Sequence, residues 1–171
     1  MLEDNILATR LSSLLQSAEA LNKASNSLNT TLDAVEQMLV KANVGIETWL
    51  SQYPLTRSKE KFGGSDELTV CRSQYLGFVK LQDKWQLAVK EEKVILEIDK
   101  GGMEIPFETQ DYKVPEPYPQ PYPLAQASRQ DRLQALQLLP DLLKKIDQEA
   151  QKVLADIEDA TQLVLQKLGA A

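Results

Sequence analysis

Residues 7–53 read LATRLSSLLQSAEALNKASNSLNTTLDAVEQMLVKANVGIETWLSQY. Stepping alternately by four and three from Leu7 meets Leu11, Leu14, Ala18, Leu21, Ser25, Leu28, Leu32, Val35 and Leu39. The same steps continue through Ala42, Ile46, Trp49 and Tyr53, and Ser25 is the one polar residue of the series. A sustained stripe at this spacing predicts a helix that buries one face against another helix. Pro54 stops it, because proline disfavours helical backbone at the residue before it. Gly45 offers an earlier stop. Read to Tyr53, the helix is roughly 60–70 Å long at 1.5 Å per residue.

A second stripe lies at the other end of the chain. Ser128-Arg129-Gln130-Asp131 has the layout of a capping box. Leu136, Leu139, Leu143, Ile146, Ala150, Val153, Ile157, Ala160 and Val164 then repeat the alternation of three and four. Pro140 predicts a kink or break, since its ring meets the carbonyl of Leu136. Leu138, Leu142, Leu154, Leu163 and Leu165 widen the stripe beyond what one helix neighbour can cover. They are therefore candidates for an interaction surface.

Between the helices the period becomes two. Leu76 and Phe78 fall on one face, with Tyr75, Val79 and Leu81 on the other. Gln82-Asp83-Lys84, Glu91-Glu92 and Asp99-Lys100-Gly101-Gly102 read as turns between short strands. This predicts an antiparallel meander of three to five strands with one wet face. Residues 54–66 read as a loop, and its Lys61-Phe62-Gly63-Gly64-Ser65 lacks the spacing of a phosphate-cradling loop. From Pro115 to Pro123 a proline stands at every second position, which predicts a stiff extended connector. The spacing contains no Pro-x-x-Pro, so Tyr118 and Tyr122 are the run's candidate contacts with a partner.

The expected fold class is thus α+β, mainly α. Two long terminal helices pair as an antiparallel coiled-coil-like hairpin, with a small antiparallel β-meander between them. The segments are an N-terminal stem helix over 1–53, a loop over 54–66 and a meander over 67–113. A proline-rich connector over 114–127 and a C-terminal stem helix over 128–171, kinked near Pro140, complete the chain.

The 171 residues are 43% hydrophobic and 26% charged, an ordinary balance for a folded domain. The net charge of −6 argues against a duplex-binding surface, which neutralises phosphates with Lys and Arg. No histidine is present, which removes Ser-His-Asp and Cys-His systems, histidine metal sites and imidazole acid-base chemistry. The single cysteine, Cys71, cannot close an internal disulfide and reads as structural. Glu91-Glu92 and the Asp156, Glu158, Asp159 group read as solvated acids rather than a site for Mg²⁺ or acid-base work. No catalytic, cofactor-binding or metal-binding residue is predicted, and no cofactor. The balance is against an enzyme.

No apolar run reaches the roughly 18 residues of a membrane span. The acidic start, Met1-Leu2-Glu3-Asp4-Asn5, lacks a signal-peptide layout, and a cytoplasmic protein is expected. The expected function is that of a non-catalytic structural or protein-interaction protein, forming a homo-oligomer (a dimer) or binding a protein partner. The alternative is a small-molecule binding or catalytic domain with a pocket between sheet and helices.

Overall fold

The computed structural model describes residues 2–61, 68–98, 103–106 and 119–169. Helix α1 spans Leu2–Ala42 and helix α2 spans Arg129–Gly169. The strands are β1 (Thr48–Trp49), β2 (Thr56–Lys61), β3 (Leu68–Leu81), β4 (Lys84–Ile98), β5 (Glu104–Pro106) and β6 (Tyr122–Pro123). A 3₁₀ turn over Leu124–Gln126 leads into α2.

The long β3–β4 hairpin is the centre of the molecule. Its turn, Gln82-Asp83, takes φ of 48° and 64°, the two positive values of a type I′ connection. Pairing runs from Leu81 opposite Lys84 to Leu68 opposite Glu97. β1 and β2 lie one after the other along the outer edge of β3. β6 and β5 do the same along β4. All pairs are antiparallel. At the far end the sheet curls until Lys59 of β2 and Glu104 of β5, on opposite edges, form an ion pair of 2.5 Å.

Leu76 and Phe78 of β3 stand opposite Val89 and Leu87 of β4, and all four are buried. Both helices bury residues in the cluster that these four belong to. α1 contributes Leu32 and Leu39, and α2 contributes Ala135, Leu139, Leu142 and Ile146. On the other face, Trp49 lies over Gly77, with Lys90 Nζ 5.1 Å from the indole centroid.

The sheet is central, and the expected antiparallel coiled-coil-like hairpin is overturned. Arg129 Nη2, at the start of α2, lies 3.4 Å from Asn22 Oδ1, in the middle of α1. Lys145, a further four turns along α2, donates to the Trp49 carbonyl at 2.7 Å, beyond the end of α1. The two helices therefore run in the same general direction. The chain leaves α1, crosses the sheet, and returns to begin α2 beside the middle of α1. Heptad spacing shows that a face is buried but not what covers it. Here the sheet and the other helix cover only part of each stripe, from Ser25 on in α1 and up to Ile146 in α2.

Further expectations differ from the structure. α1 ends at Ala42, where Asn43 and Gly45 turn the backbone to φ of 49° and 69°. Thr48 and Trp49 are then drawn to the edge of β3, so the reading through Tyr53 is too long. Thr56–Lys61, expected as a loop, is a fully exposed edge strand. Its charges suit an edge, where they discourage pairing with other chains. Glu91-Glu92 is not a turn either, because β4 continues through it. Arg72 of β3 lies 3.5 Å from Glu91, and Lys90 lies 2.6 Å from Glu92. Meanwhile α2 continues unbroken through Pro140. Of the proline run, residues 114–118 lie outside the described residues, and Tyr122–Pro123 pairs with β4.

Candidate functional site

Two features of the fold are candidates for engaging other molecules: the free halves of the helices and one cleft beside α1.

Among residues whose side chains are described, none before Ser25 is buried in α1 and none after Ile146 in α2. These arms leave the body at opposite ends, because the helices run the same way. α1 exposes Leu11, Leu14, Leu15 and Leu21 by half or more. α2 exposes Leu154, Ile157, Leu163, Val164, Leu165 and Leu168 to a similar degree. An apolar stripe of this extent on a solvated helix makes the arms candidates for an interaction surface. Without a partner such an arm also lacks the tertiary packing that supplies most helical stability in proteins.

The predicted interaction residues separate into groups. Leu154, Leu163 and Leu165 are exposed on the α2 arm. Leu142 is fully buried in the core and so is not available to a partner, whereas Leu138 is partly buried against that core. Tyr122 is half-buried against the core, and its hydroxyl is pushed up by burial, then by Asp131 and Glu91. Tyr118 lies outside the described residues. The residues not singled out from sequence are those of the α1 arm. Their spacing was legible, but a paired stem would have covered them.

The start of α2 is fixed by Ser128 and Asp131. Ser128 Oγ accepts the Asp131 N–H at 3.1 Å and donates to Asp131 Oδ2 at 2.6 Å. The Ser128 N–H also donates to that carboxylate at 3.3 Å. This closes the capping box and sets the direction in which α2 leaves the sheet.

The cleft, about 190 Å³, lies between α1, β4 and the start of α2. Asn29, Asp33 and Glu36 line one side, with Gln86, Leu87 and Arg132 facing them. Glu36 accepts the Leu87 backbone N–H at 2.7 Å. Burial pushes the Glu36 carboxyl up, the Leu87 N–H opposes this, and the nearby Asp33 charge adds to the rise. Arg132 Nη1 donates to the Ala125 carbonyl at 3.2 Å. Among the described residues, Arg132 Nε and Asn29 Oδ1 are buried without a hydrogen-bond partner. Both residues line the cleft, although these two atoms are themselves covered by protein.

Elsewhere, buried Cys71 accepts a hydrogen bond from Arg57 Nε at 3.0 Å. The described residues contain no group of three His, Cys, Asp or Glu able to hold a metal ion. No described helix is long and apolar enough to cross a membrane. No family model, curated protein or solved structure matches this chain.

Proposed function

We propose that this protein is a non-catalytic structural and interaction protein that works as a homodimer joined through its helical arms. One observation carries this reading. Half of each 41-residue helix projects from the body with its apolar stripe in water. The sheet and the packed halves of the helices bury a core without these arms, so the fold does not need the arms' leucines. A reducing, cytoplasmic setting fits a chain with one buried cysteine and no disulfide.

Sedimentation of the full chain over a range of concentrations tests the reading. A dimer is expected, with Leu14→Asp/Ile157→Asp dissociating it while the aromatic circular dichroism of the body is unchanged. A wild-type monomer at every concentration overturns the dimer. Loss of the body signal in the variant overturns the division into body and arms.

The cleft supports a second reading, that of a small-molecule binding domain. Its lining places the Arg132 guanidinium, which suits a carboxylate, with the Asp33 and Glu36 carboxyls, which suit an ammonium group. A free amino acid carries both groups. Thermal shift against a panel of free amino acids should give a rise that Arg132→Ala abolishes. No rise with any of them removes this reading.

A further inference from the structure

Before Ser25, α1 has 23 residues, and beyond Ile146 α2 has another 23. At 1.5 Å per residue each arm is roughly 34 Å long. One arm leads from each end of the body. A two-fold axis perpendicular to the helices therefore sets the α1 arm of one copy beside the α2 arm of the other, antiparallel, at both ends at once. A single symmetric contact then covers all four arms. Pairing α1 arms alone, or α2 arms alone, leaves the other arm's leucines in water.

The sequences of the arms fit that arrangement. When Ser25 is set level with Ile146, Leu11 meets Ala160 and Leu14 meets Ile157. Ala18 then meets Val153, and Leu21 meets Ala150. Three of these four pairs set a large residue against a small one, and none of the four contains a polar residue. The stripe is continuous with the one each helix buries in the body. On the flanks, heptad geometry places Leu15 beside Leu154 and Arg10 near Asp159. The outer surfaces of the packed helix halves also expose Met38, Val40, Leu133 and Leu143, available where two bodies meet.

We infer that two copies exchange arms reciprocally, the α1 arm of each lying antiparallel along the α2 arm of the other with Leu14 against the partner's Ile157. This rests on the homodimer reading above and specifies its contact.

Cysteine cross-linking tests it. Leu14→Cys and Ile157→Cys are made in separate full-length chains and mixed under mild oxidation. Buried Cys71 stays in place, and the wild-type chain reports its background. The mixture is expected to give a covalent dimer, while neither variant alone does so above background. The chain carrying both substitutions is expected to form covalent dimers rather than close on itself. Cross-linking of Leu14→Cys alone means α1 pairs with α1 and overturns the exchange. Closure within one chain does so too. A dimer by sedimentation with no cross-link in the mixture overturns the register while leaving the dimer reading intact. A monomer by sedimentation overturns both.

Discussion

The Glu36 carboxylate of α1 accepts the backbone N–H of Leu87, in β4, at 2.7 Å. It is a side-chain tie from a helix to the middle of the sheet. Its carboxyl is held above the ordinary carboxylate range chiefly by burial. The folded state therefore binds this proton more tightly than the unfolded chain. The resulting contribution to stability is complete below the unfolded value of 4.5 and is lost as pH rises through the folded value. Glu36→Gln keeps an acceptor for Leu87 without the charge. At pH 7 that variant should be at least as stable as wild type, with its advantage shrinking as pH falls toward 4. Glu36→Ala leaves the N–H without its partner and should cost about 1–3 kcal/mol. Urea unfolding at several pH values measures both. A Gln variant as unstable as Ala at pH 7 would sink this account.

Gly77 lies beneath Trp49 at the β1–β3 crossing. A Cβ built there sits 2.7 Å from Trp49 Cδ2 and 2.8 Å from the Thr48 carbonyl oxygen. The carbonyl is backbone and belongs to β1, so it moves only if the strand pairing moves. Gly77→Ala should cost about 1–3 kcal/mol, the usual range for overpacking. It should also alter the near-ultraviolet dichroism, since Trp49 must shift. An unchanged spectrum and melting temperature would mean that the indole is not seated there.

Leu142 and Leu154 lie on one helix, and sequence reading treated them alike. Leu142 is fully buried beneath the sheet, whereas Leu154 is 57% exposed on the arm. Leu142→Ala should lower the body's stability by about 2–5 kcal/mol through lost burial and a cavity. Leu154→Ala should change it by less than about 0.5 kcal/mol. Chemical denaturation followed by tryptophan fluorescence reads the body alone. Equal losses would refute the boundary drawn at Ile146.

The features legible in the sequence were those set by residues close together in the chain. Gln82-Asp83 was readable as a turn, because two polar residues interrupt alternating apolar ones. Ser128 and Asp131 were readable as a cap three residues apart. The helical stripes themselves were also visible. What covers them was not, because that depends on where residues 43–128 carry the chain. Thr56–Lys61 has no apolar face and pairs only because β3 offers an open edge. Glu91-Glu92 resembles a turn until Arg72 and Lys90 are seen beside it. The cleft was beyond reach as well. Asn29, Glu36 and Arg132 sit on helices whose relative direction the spacing leaves open.

Hydrogen exchange should divide each helix at a definite residue. Amide protection follows the free energy of local opening, which is low where few apolar contacts hold the backbone. Residues 25–42 and 129–146 bury Leu32, Leu39, Leu139, Leu142 and Ile146 in the core, so they should stay protected at any concentration. Residues 9–24 and 151–169 have no buried side chain within one chain. Within one chain they lack the tertiary packing that supplies most helical stability, so in dilute protein they should exchange far faster than the body. As concentration rises, both arms should gain protection together, over one range, because each covers the other. The same range should appear in sedimentation. Protection gained by one arm only would show that the arms do not meet. Protection of both arms in dilute monomer would show that each is held by its own chain.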